Sequence, residues 1–169
     1  DFEKAFPPGY FGHRRLLGPE GPYGRWLLSL PVAVVAGDSA FMHGGPSMLL
    51  HGRSVERLNR DYAAALEEYL AALGTLEQAG LVRFDDDFGK RADAAAAKLA
   101  TVADGAERSR LAAAGGQLQA ADDAPLLGPA GPNWYRGAAL CNECAEADVL
   151  RPWLAQIGVQ RLVVGHTVA

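Results

Sequence analysis

The chain has 169 residues, 49% of them hydrophobic and 21% charged, with a formal net charge of -4 and a pI near 5.5. That composition suits a globular chain with a hydrophobic core and excludes wholesale disorder. The acidic balance disfavours broad binding to nucleic acid or an anionic membrane, while a local basic pocket for a phosphate stays compatible with it. No apolar run approaches the roughly eighteen residues of a transmembrane helix. The start, DFEKAFPPGYFGHRR, has neither an initial Met nor the charged-then-apolar layout of a signal peptide. It reads as a fragment or a processed chain. Its compartment is left open, with cytoplasmic as the default.

Residues 1–24 are dense in Pro, Gly and aromatics and predict irregular chain. GRWLLSLP (24–31) predicts a short helical turn ending at Pro31, and the β-branched run VAVVAG (32–37) a buried strand. Gly37-Asp38 supplies a hairpin turn, and SAFMH (39–43) is the returning strand. Ser54 caps a helix over 54–73, with Leu58, Tyr62, Leu66 and Leu70 every four residues, and more helix follows in 74–80. The alanine-rich, charged stretch 84–124 predicts helices at 90–103 and 106–114. The region of roughly 54–125 therefore reads as a helical insertion or cap. LLGPAGPN (126–133) is a loop leading into WYRG (134–137). A helix is expected over 144–157, bent or restarted at Pro152 and stopped by Gly158, before a strand at 161–165. The fold class is mixed α/β, without an internal repeat.

Three places combine chemistry with a stiff support. His43 and His166 each end an apolar strand and enter a loop beside glycine, where neutral imidazole can ligate zinc, manganese or iron. A lone histidine in such a place is more often structural, and a fixed metal site needs three or more protein ligands. Arg136 offers a planar fork suited to phosphate oxygens, with neighbouring aromatics to hold it, against the plainer reading of an exposed arginine beside a packed Trp134.

HGG (43–45), WYRG (134–137) and GHT (165–167), in this order, resemble the C-terminal half of a calcineurin-like metallophosphoesterase, and most of all the Shewanella-like, PPP-type serine/threonine protein phosphatases. YGRWL (23–27), LNRDY (58–62) and GPNWYRG (131–137) support the resemblance, which spans about 23–167. It implies an α/β sandwich of two central mixed sheets flanked by helices, and a centre of two metal ions, Mn, Fe or Zn. It further implies that His43 and His166 bind the second metal, that Arg136 clamps the substrate phosphate, and that metal-bound water attacks phosphorus. The substrate expected is a phosphoprotein or a small phosphoester.

The family's GDxHG, GDxxDRG and GNHE motifs, which hold the first metal and the general acid, do not occur in these residues, and GDSA (37–40) does not replace them. The chain is therefore expected to be part of a metallophosphoesterase domain lacking both ends, inactive alone. A dinucleoside-polyphosphate hydrolase on the same fold and a non-catalytic binding module are the alternatives. Cys141 and Cys144 have the spacing of a zinc or redox pair, but without a second pair they read as structural cysteines at a helix start. His51 could approach substrate, though loop solvation is its default; His13 and the acidic run 85–87 read as solvated surface.

Overall fold

The computed structural model describes residues 6–83, 86–165 and 167, with Phe88 as backbone only. They form a mixed α/β structure of seven helices and one three-stranded mixed sheet. The chain divides into two compact units, Asp1–Pro31 and Val32–Ala169.

The first unit holds two short helices, α1 (Tyr10–Leu17) and α2 (Pro22–Leu28). The irregular chain expected over 1–24 is thus corrected. Its prolines and glycines mark the helix starts instead of interrupting them: Gly9 precedes α1 with φ 90°, and Pro22 is the first residue of α2. Proline costs nothing there, since that N–H would be unpaired in any case. Arg14 and Arg15 lie in the last turn of α1, where cations complement the helix dipole.

In the second unit, β1 (Ala33–Ala36) and β2 (Ser39–Met42) form the expected hairpin, with Ala36 opposite Ser39 and Gly37 at φ 60° in the two-residue turn. The third strand, β3 (Arg161–Val164), pairs with β2 in parallel, Ser39 facing Arg161 and Met42 facing Val164. A parallel pair requires a long crossover, and the intervening helices supply it. Asp38 of GDSA sets the register. Its carbonyl accepts from Gln160 N and Arg161 N, at 2.8 and 3.1 Å, and its carboxylate pairs with Arg161 at 2.9 Å. This is one sheet. The two-sheet sandwich implied by the resemblance is not present among the described residues.

The crossover begins with α3 (Val55–Gln78), capped by Ser54, whose Oγ accepts from Arg57 N at 3.2 Å. It runs through Gly74 without a break, because one internal glycine costs only about 1 kcal/mol and packing outweighs that. Of the expected four-residue stripe only Leu58 is deeply buried; further along, Tyr69, Ala72, Leu73 and Leu76 take over. The stripe changes because α3 serves two cores. Leu58 packs with Ala33, Ala40, Met42, Leu50, Trp153 and Val159 beneath the sheet. Tyr69 to Leu76 pack against α4 (Arg91–Leu99) and α5 (Ala106–Asp122), with Leu111 and Leu118 at the centre. Helix α4 is shorter than 90–103, and α5 outruns 106–114 through Gly115 and Gly116 because Leu118 and Ala121 are buried beyond them. A four-residue α6 (Gly137–Leu140) precedes α7 (Glu143–Ile157), which keeps Pro152 inside and ends at Gly158 with φ 73°.

Candidate functional site

The loop after β2 and the loop before α6 come together at Gly44. Its N–H donates to the Pro132 carbonyl at 2.8 Å, and Ser47 Oγ donates to the Ala130 carbonyl at 2.7 Å. A Cβ on Gly44 would overlap Pro132 O and approach Arg136 Nη1 to 2.8 Å, so a bare backbone is required there. Gly45 has ordinary room, its nearest neighbours lying 3.5 Å from a Cβ.

Arg136 is half-buried, and its Nη1 donates to the carbonyls of Asn133 at 2.9 Å and Tyr135 at 3.2 Å. Nε and Nη2 make no hydrogen bond within the described residues, so the two-nitrogen edge that matches two anion oxygens is unused. Backbone carbonyls, not aromatic rings, hold the guanidinium. Trp134 is 57% exposed, which removes the packed tryptophan of the plainer reading. Asn133 ties the loop to α3 by donating to Tyr62 Oη at 2.7 Å, and burial raises the Tyr62 phenol above its ordinary range.

His43 is exposed at the end of β2. The parallel register carries β3 alongside it, and Gly165 N donates to the His43 carbonyl at 3.1 Å. His166 is outside the described residues. Among the described residues no group of three or more His, Cys, Asp or Glu is placed to hold a metal. One imidazole falls short of the three or more ligands of a fixed site, so these residues do not by themselves complete a metal centre.

Several of the remaining candidates have structural partners. His51 is half-buried, and its Nε2 donates to the Val149 carbonyl of α7 at 2.8 Å. That carbonyl neighbours the one that Pro152 leaves without its helical donor. Gln156 completes the clamp, accepting from Gly52 N and donating to the Arg53 carbonyl, both at 2.7 Å. His13 is exposed on α1. Asp85 lies outside the described residues; Asp86 accepts from Arg83 N at 2.7 Å and pairs with Lys98 at 3.9 Å, and Asp87 pairs with Lys90 at 3.7 Å. Cys141 and Cys144 are exposed free thiols flanking Asn142, whose side chain caps α7 by accepting from Cys144 N at 2.9 Å.

Sequence reasoning missed Glu146. This first-turn residue of α7 is buried, and its Oε2 accepts from the Tyr135 hydroxyl at 3.0 Å. Burial, reinforced by Glu146, pushes the Tyr135 phenol up to about 12. An acidic residue at a helix start normally signals dipole complementarity at the surface, so nothing in the sequence separates it from Glu143. No family model, curated protein or solved structure matches the chain.

Proposed function

We propose that this chain carries the phosphate-gripping side of a metal-dependent phosphoesterase of the serine/threonine phosphatase type, with Arg136 as the gripping residue. One observation carries the reading. The HGG and WYRG turns, far apart in sequence, meet at Gly44 and leave the Nε/Nη2 edge of an anchored guanidinium without a partner among the described residues. Such an edge binds two oxygens of one phosphoryl group, and its anchorage lowers the ordering cost on binding. In this reading His43 and His166 contribute half of a metal site, and a phosphoprotein or small phosphoester is the substrate. The ligands that would complete a two-metal centre do not occur in these 169 residues, so the chain itself is assigned binding and not turnover.

Titration of inorganic phosphate into the chain by calorimetry tests this. Saturable binding is expected, weakened about tenfold or more in Arg136→Lys, the range of a charged hydrogen bond. Hydrolysis of p-nitrophenyl phosphate with Mn²⁺ is expected to stay at the buffer rate. Equal phosphate affinity in the wild type and Arg136→Lys would overturn the assignment.

A further inference from the structure

We propose that Glu146 is a positioning residue that holds the Arg136 guanidinium through Tyr135; this rests on reading Arg136 as the phosphate-binding side chain. The starting observation is a buried carboxylate with half of its capacity unused. Glu146 is 5% exposed, Oε2 accepts from the Tyr135 hydroxyl, and Oε1 has no partner among the described residues. An unpartnered buried oxygen is costly, and an apolar residue at that position would spare the cost. Its counterpart is a Tyr135 held at both ends. The hydroxyl is fixed by Glu146, while the carbonyl of the same residue accepts from Arg136 Nη1. Carboxylate, tyrosine and guanidinium thus form one chain, from the first turn of α7 to the loop facing Gly44. Gly137 belongs to the same device: a Cβ there would overlap Tyr135 Oη and run into Glu146 Oε2. The residues on either side of Arg136 are therefore both set by the Tyr135–Glu146 bond.

The test is the phosphate titration of the full chain, applied to Tyr135→Phe, Glu146→Leu, Glu146→Gln and the Tyr135→Phe/Glu146→Leu double variant, with Arg136→Lys as reference. Tyr135→Phe and Glu146→Leu should each weaken phosphate binding about two- to tenfold, the range of one hydrogen bond. The double variant should be no weaker than the weaker single, because both break one link. Glu146→Gln keeps an acceptor of the same reach and should restore near-wild-type affinity. Absorbance titration of the phenols adds a signature. The Tyr135 phenol, pushed up to about 12 by burial and by Glu146, should move down toward the ordinary 10.0 in Glu146→Gln. Wild-type affinity in Glu146→Leu, additive losses in the double variant, or a Gln variant as weak as the Leu variant would overturn the positioning role while leaving Arg136 in place. Loss of the difference between the wild type and Arg136→Lys would remove the underlying reading and this inference with it. Should Glu146→Leu fail to fold, Tyr135→Phe, which deletes a single oxygen, and Gly137→Ala, which pushes the bonded pair apart, carry the same expectation.

Discussion

The two cores of the second unit are held in different ways. The helical block of α3, α4 and α5 relies on close packing of small residues: Ala72, Ala95, Ala114 and Ala121 are buried around Leu76, Leu111 and Leu118. The region under the sheet has fewer buried side chains, and polar groups reach across the sequence to support it. His51 bonds to Val149 across 98 positions, Gln156 to Gly52 across 104, and Ser47 to Ala130 across 83. Asn59 both donates to the Ala33 carbonyl and accepts from its N–H, at 2.9 Å each way. Apolar packing tolerates gradual change, whereas a directional bond is either made or lost. The loops that carry Gly44 and Arg136 are therefore fixed by contacts that single polar substitutions can cut.

Core truncations test this contrast most strongly. Trp153 is fully buried beneath the sheet, and Trp153→Ala should cost about 3–5 kcal/mol in urea unfolding. Its indole N–H lacks an acceptor among the described residues, so Trp153→Phe, which removes that donor, should cost well under half as much. A Phe variant as unstable as the Ala variant would show that the indole N–H has a partner. Leu118→Ala in the helical block should fall near the low end of about 2–5 kcal/mol, since surrounding alanines leave helices able to close on the gap.

The paired glycines offer a sharper cut. Gly44→Ala must displace the Pro132 backbone and should cost about 1–3 kcal/mol, whereas Gly45→Ala meets only ordinary contacts and should be nearly neutral. Equal thermal shifts for the two would deny that the loops meet as described. Gln156→Ala removes both bonds to the loop at Gly52 and Arg53 and should cost about 1 kcal/mol per bond, read by chemical denaturation.

The smallest effect is confined to alkaline solution. The Tyr135 phenol is raised from the ordinary 10.0 to about 12 by burial and by Glu146. Below pH 10 both folded and unfolded chains keep that proton. Between about 10 and 12 only the folded chain does, so Tyr135's contribution is present below 10 and is lost as pH rises through 12. Partial exposure of Tyr135 reduces its size. Unfolding measured across this window should show a shallower decline in Glu146→Gln. Parallel curves would mean that the carboxylate does not act on the phenol.

Much of the local structure is legible in the residues alone. A β-branched run followed by Gly37-Asp38 specifies the hairpin, Ser54 specifies the start of α3, and Gly158 the end of α7, because each acts on its own neighbours. Where a helix outran its expected end, at Gly115-Gly116, distant packing overruled a local glycine penalty of about 1 kcal/mol. The site was legible as residue types, with HGG and WYRG marked out, but not as an arrangement. That Gly44 must be bare follows from where Pro132 passes it. That His51 bonds to α7 follows from where the Val149 carbonyl lies. That Glu146 is buried, while Glu143 three positions earlier is exposed, depends on which side of α7 meets Tyr135. Sequence by itself determined the hairpin turn and the helix ends at Ser54 and Gly158, since caps and turns act within a few residues. Only the tertiary structure decided which loops met and which polar atoms were paired, because hydrogen bonds and steric overlap are fixed by proximity in space.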